Sequence, residues 1–127
     1  MARFLENVIV DTSSILFGIA AKKDVFSIAN KRFNAQVLIS RGVLDELSGI
    51  SKNKGKRGAS ARAALALIRV KNVKVHKDRG SVDSWIASTA AKHNNTVVIT
   101  NDTALFRKVR SVNRNVFKLS RSGTLRR

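Results

Sequence analysis

The chain has 127 residues, 43% of them apolar, with no proline and no cysteine. That size suits a single domain spanning 1–127 that buries roughly two thirds of its unfolded surface; the composition argues against disorder, and the lack of cysteine excludes a disulfide framework and a thiolate zinc site. Lys+Arg number 25 against 8 Asp+Glu, a formal net charge of +17; such an excess repels itself in the folded state and is best matched by a polyanion, so nucleic acid is the first partner to expect.

The first element is NVIVD, residues 7 to 11, where three consecutive β-branched residues read as a strand buried on both faces and ending at Asp11. Glu6 and Asp11 interrupt the apolar stretch that follows Arg3, and no apolar run reaches membrane-spanning length. Neither a leader peptide nor a membrane segment is expected, and the simplest location is the cytoplasm. The basic residues are not laid along one amphipathic helix, which argues against an anionic membrane as partner.

TSSILFGIAAKK and then residues 24 to 33 read as helices, Asp24 opening the second with a charge suited to a helix N-terminus. AQVLIS (35 to 40) reads as a second strand. Val43, Leu44, Leu47 and Ile50 recur at helical spacing behind Ser40 as N-cap. A basic loop, SKNKGKRG (51 to 58), leads into an Ala-rich helix from 59 to 70. VKVH (73 to 76) is a third strand, GSVDSWIASTAAKHN holds a helix, TVVIT (96 to 100) is a fourth strand, TALFRKVR a short helix, and NVFKL (115 to 119) a fifth strand. Strands alternating with helices imply parallel pairing through right-handed crossovers. The fold class is therefore α/β, a three-layer α/β/α sandwich about a central, mostly parallel five-stranded sheet of Rossmann-like winding.

Four strands are each followed by an acid: Asp11 ends the first, Glu46 lies in the helix after the second, Asp83 opens the helix after the third, and Asp102 follows the fourth. Singly, each has a plain explanation as a cap, a dipole partner or a solvated side chain. Together they are half of the 8 acids in the chain, gathered toward the sheet edge where open α/β folds place their functional groups. Like charges so placed raise one another's pKa values. A divalent cation such as Mg²⁺ or Mn²⁺, which takes oxygen ligands and shares carboxylates with substrate phosphate, resolves the conflict.

These residues resemble the PIN-domain nucleases over nearly the whole chain: VIVDTS at the first strand, VLDEL in the third helix, SVDSWIASTA in the fifth, and VVITNDTALFRKVR at the fourth strand and beyond. The resemblance implies a metal-dependent ribonuclease in which Asp11, Glu46, Asp83 and Asp102 hold one or two Mg²⁺ or Mn²⁺ ions. It also implies that Thr12, Ser13, Thr100 and Asn101 orient the carboxylates, Ser13 standing where many members carry Asn. The segment from Thr100 to Leu125 is most similar to archaeal relatives of the nucleases that process precursor small-subunit ribosomal RNA. Toxin-type ribonucleases of toxin–antitoxin pairs share the fold and the acids and are the alternative; a basic RNA-binding protein without activity is a third reading, against which the intact quartet argues. Either nuclease class leaves room for a homodimer or a protein partner.

Two basic groups are suited to RNA phosphates, Lys52, Lys54, Lys56 and Arg57 in the loop, and Arg107, Lys108, Arg110 and Arg114 after Asp102. The six Phe and Trp85 sit mostly in apolar segments, so no base-stacking platform is expected. His76 and His93 are read as structural rather than catalytic.

Overall fold

The computed structural model describes residues 5–127; Arg3 lies outside them. The chain order is β1 (Asn7–Val10), α1 (Thr12–Ala20), α2 (Val25–Phe33), β2 (Gln36–Ser40), α3 (Arg41–Ser51), α4 (Lys56–Lys71), β3 (Lys74–His76), α5 (Val82–Lys92), β4 (Thr96–Ile99), α6 (Thr103–Arg110), β5 (Val116–Leu119) and β6 (Leu125–Arg126). Among the described residues no helix is long and apolar enough to cross a membrane.

The sheet runs β3-β2-β1-β4-β5-β6, with β1 to β5 parallel and β6 antiparallel to β5. Helices α1 to α4 pack together on one face, α5 and α6 on the other, giving the expected three layers. Val8, Ile9 and Val10 in β1 and Val97, Val98 and Ile99 in β4 are fully buried, as strands covered on both faces require. From β1 the chain winds outward to β2 and β3, then crosses back to β4 and β5. The order therefore reverses between β1 and β4, and a crevice opens beyond their carboxyl ends. Asn7 lies level with Thr96 and Val10 with Ile99, and the Asp11 N–H donates to the Ile99 carbonyl oxygen at 2.9 Å. That register holds the residues after both strands side by side.

Six strands replace the expected five. The sixth is only two residues long, too short to show alternation, and is made by a turn in which Gly123 takes φ +91 and the hydroxyls of Ser120, Ser122 and Thr124 bond one another. The basic loop is also shorter than expected, because α3 keeps Ser51 and α4 starts at Lys56. Gly55 at φ +88 opens α4, and a Cβ on Gly58 would lie 1.8 Å from the Asn53 carbonyl oxygen. Only glycine admits the loop so close to the first turn.

Local chemistry sets the other helix ends. Asp24 accepts from the Phe26 and Ser27 amides and pairs with Lys71 at 2.9 Å, tying the start of α2 to the end of α4. Desolvation pushes the Asp24 pKa up, but Lys71 and the Ser27 donors outweigh it and hold it below the usual carboxylate value. Ser40 and Ser81 cap α3 and α5.

Candidate active site

Asp11 follows β1 directly and is only 4% exposed. Its backbone begins α1, but its side chain caps nothing. Instead the Ser13 hydroxyl donates to Asp11 Oδ2 at 2.6 Å and the Thr100 hydroxyl at 2.9 Å. The carboxylate is thus held by hydroxyls from α1 and the end of β4, and the cap explanation fails for this residue. It holds for Asp102, whose Oδ1 accepts from the Leu105 amide at 3.0 Å while its own N–H donates to Thr100 Oγ1 at 3.1 Å. Capping leaves Asp102 at the cleft all the same. Thr100 therefore touches both acids, because register places it between them.

Glu46 on α3 and Asp83 in the first turn of α5 complete the group, and all four carboxylates line one cavity of about 550 Å³. Glu46 and Asp83 feel the charges of their neighbours. Desolvation, then the Asp11 charge, raise the Glu46 pKa, with Asp83 adding and the nearby Thr12 hydroxyl subtracting. Desolvation, then Asp11 and Asp102, raise that of Asp83, with Lys108 subtracting. Asp45 lies elsewhere: its carboxylate pairs with Arg79 at 3.0 Å and lines a different groove. One step along α3 turns a side chain by about 100°, which separates the two neighbouring acids.

The supporting residues divide into different roles. The Ser13 and Thr100 hydroxyls both bond the Asp11 carboxylate. Asn101 does not touch a carboxylate: its Oδ1 accepts from the Ser14 hydroxyl at 2.6 Å and the Leu119 amide, and its Nδ2 donates to the Leu119 carbonyl. It braces α1 against β5, and its backbone N–H donates at 3.0 Å to Ser13 Oγ, the hydroxyl that holds Asp11, so it reaches that acid through Ser13 and not by direct contact. Ser14, fully buried, is its partner and was not singled out from the sequence. The Thr12 hydroxyl is buried in the cavity wall without a hydrogen-bond partner; it lies close enough to Glu46 to influence it but not to bond it.

Of the basic residues, Lys56 and Arg57 line the cavity with the carboxylates, as does Ser60. Lys52 and Lys54 are exposed but do not line it, while Arg107, Lys108 and Arg110 project from the exposed side of α6, Lys108 near Asp83. Leu16, Phe17, Ala20 and Ile50 also line the cavity, so an aromatic stands beside the acids after all. Helical spacing from Ser13 and from Glu46 would have found all four. Trp85 and both histidines line a separate small cavity, the Trp85 and His76 rings 5.3 Å apart.

The donor set is all oxygen, which suits a hard divalent cation. Among the described residues no three acidic or imidazole groups already converge on one point. Asp11, Glu46, Asp83 and Asp102 are nonetheless the groups able to hold such an ion, with an unpartnered Thr12 hydroxyl beside them.

Residues 8–122 match the family model of the PIN like domain. The chain belongs to the PIN-like domain family. Its fold resembles that of the PIN domain endonuclease Utp24, with a TM-score of 0.76 at 23% identity, covering 94% of this chain and 89% of that one. It is similar to a domain of a functionally unknown protein from Methanocaldococcus jannaschii DSM 2661, with a TM-score of 0.57 at 18% identity and 91% of both chains covered. VapBC-1 from nontypeable Haemophilus influenzae gives a TM-score of 0.53 at 16% identity, covering 91% of this PIN-like chain and 98% of that one. No curated protein sequence matches significantly. The fold is that of the PIN-domain nucleases.

Proposed function

We propose that this chain is a divalent-metal-dependent endoribonuclease that hydrolyses phosphodiester bonds in RNA, acting in the cytoplasm on precursor ribosomal RNA. The observation that carries the reading is the gathering of Asp11, Glu46, Asp83 and Asp102 into one cavity whose other wall carries Lys56 and Arg57. Repelling acids at the switch point of a chain with a net charge of +17 have no stabilising purpose, but they suit a cation shared with phosphate. A bound Mg²⁺ or Mn²⁺ would supply an activated water near neutral pH and neutralise charge on the phosphate.

The chain's own groups do the rest. Ser13 and Thr100 fix Asp11 before substrate arrives, so little reorganisation is left to the reaction. Backbone capping fixes Asp102 in the same way. Glu46 and Asp83 are exposed and complete the oxygen set. Lys56 and Arg57 on one side, with Lys108, Arg107 and Arg110 on the other, bind the phosphates of a strand laid across the acids. The net charge of +17 favours a large structured RNA, the resemblance of the segment from Thr100 to Leu125 to rRNA-processing nucleases favours precursor rRNA, and the likeness to the endonuclease Utp24 supports internal cutting.

Incubation with precursor small-subunit rRNA and with generic single-stranded RNA, in Mn²⁺ and in chelator, tests the reading. Discrete Mn²⁺-dependent cuts in the first alone support it. Equal cutting of both RNAs, relieved by a cognate protein partner, would instead indicate the toxin class, as the likeness to VapBC-1 allows. Binding without cleavage in Mn²⁺ would leave a basic RNA-binding protein.

A further inference from the structure

Past the carboxylates the cavity changes character. Leu16 and Phe17 stand one helical turn beyond Thr12 and Ser13 on α1, Ala20 a turn further, and Ile50 one turn beyond Glu46 on α3. Residues three and four apart share a helix face, so the face that presents the acids continues as an apolar wall. Ile15 on the same helix is 1% exposed in the core, whereas Leu16, Phe17 and Ile50 are only half-buried. Lys56, Arg57 and Ser60 at the start of α4 line the same cavity.

We propose that this wall is a nucleobase subsite, which takes the unstacked base of a nucleotide neighbouring the cut, with Phe17 as its stacking face and Lys56 and Arg57 on the flanking phosphates. The position of the cut rests on the nuclease reading; the binding of a base does not. A bare phosphodiester asks for cations and gains nothing from hydrocarbon. A hydrophobic peptide segment would cover the wall but leave Lys56 and Arg57 without counterions. A nucleotide joins an apolar ring to an anion, and the cavity offers both partners on adjacent walls. Its base reaches the wall only when unpaired, so this site discriminates against duplex at one defined nucleotide.

The test leaves the protein unaltered first. A single-stranded segment of the precursor small-subunit rRNA, carrying a fluorophore, is made with one abasic nucleotide, moved stepwise along the strand. Binding is read by fluorescence anisotropy in chelator, and cleavage afterwards in Mn²⁺. Base–aromatic stacking supports an expected loss of about tenfold in affinity at one position, next to the cut, and little elsewhere. Phe17→Leu, which keeps the apolar volume, should bind the intact strand more weakly and lose most of the difference between intact and abasic strands; Phe17→Trp should keep it. An abasic series without a weak position overturns the subsite, as does a Phe17→Leu protein that stays fully sensitive to the abasic position. A polypeptide occupant would give the first of these results. A positional effect in chelator with no cleavage in Mn²⁺ retains the subsite and removes the nuclease reading, whereas cleavage indifferent to the abasic position does the reverse.

Discussion

Replacing Asp11 by Asn separates a structural from a functional carboxylate. Both donors to Asp11, Ser13 and Thr100, reach the same oxygen, Oδ2, at 2.6 and 2.9 Å, and an Asn carbonyl in that place can accept both. No cap is lost, because the Asp11 side chain caps nothing. What changes is one charge that raises the pKa of both Glu46 and Asp83. Two unit charges about 4 Å apart repel by roughly 1 kcal/mol in water, and by less at wider spacing and in salt, so that figure is an upper bound for carboxylates that do not converge on one point. Relief of up to that size should raise the melting temperature of Asp11→Asn in chelator by up to about 3 °C, since ~1 kcal/mol moves a chain of this size by a few degrees. Adding Mn²⁺ at a hundred times its dissociation constant should stabilise the parent by about 2.7 kcal/mol, roughly 8 °C, and the variant far less. Thermal melts followed by circular dichroism read both effects. A variant that melts several degrees lower in chelator, with neither protein responding to Mn²⁺, would refute the reasoning and make Asp11 a structural residue.

The adjacent acids on α3 give a sharper contrast: Glu46→Gln should cut Mn²⁺-dependent RNA cleavage on the order of a hundredfold or more, while Asp45→Asn, which breaks only the exposed pair with Arg79, should keep most of it. Single-turnover assays rank the two. The pH dependence follows from the raised Glu46 and Asp83 pKa values: stability from these groups is full below the ordinary values of 4.5 and 3.8 and is lost as pH rises through the higher folded ones. The stability advantage of Asp11→Asn in chelator should therefore widen from about pH 4 toward neutrality, and a gap that narrows would contradict the cause assigned. Asp24 has the opposite sign, because its pKa is lowered; Asp24→Ala should cost about 1 kcal/mol or more at pH 7, mainly the helix cap, and much less in acid, as denaturant melts would show. Neutralising Lys56 and Arg57 together should weaken RNA binding for all sequences and flatten its dependence on salt by about two charges. Unchanged salt dependence would place the RNA elsewhere.

Sequence made the fold readable where periodicity is strong and long. Val8 to Val10 and Val97 to Ile99 declare a doubly covered sheet by their unbroken β-branched runs, and once two parallel strands are placed, the acids after them must meet. The sixth strand escaped because a two-residue antiparallel pair has no period; it depends on a positive φ at Gly123 and on three hydroxyls meeting in the turn. The start of α4 escaped because Gly55 and Gly58 look like loop residues, although Gly58 is required by the close pass of the Asn53 carbonyl. Asn101 shows a different limit. Its neighbours in sequence face the acids, yet one residue past the strand end its side chain turns to Ser14 and Leu119. The apolar wall was legible in the spacing of Ser13, Phe17 and Ala20, but apolar residues on a helix are ordinarily assigned to the core, and only exposure distinguishes the two.

The four acids are not equally prepared, and the difference has a physical basis. Asp11 and Asp102 belong to the backbone corners that follow β1 and β4, so the sheet register and the shared Thr100 hydroxyl set their positions. Glu46 and Asp83 stand on α3 and α5 as exposed side chains, whose rotamers are free to change at a cost of ordering of about 1 kcal/mol each. The proposed cation would therefore find half of its oxygen ligands placed and would have to recruit the other half, against carboxyl groups whose pKa values are already raised. That arrangement leaves Glu46 and Asp83 in contact with water, which keeps the repulsion among the four acids small. It also makes closure of the acid set depend on what the cleft contains, so a phosphate held by Lys56 and Arg57 and a shared cation would each favour the binding of the other.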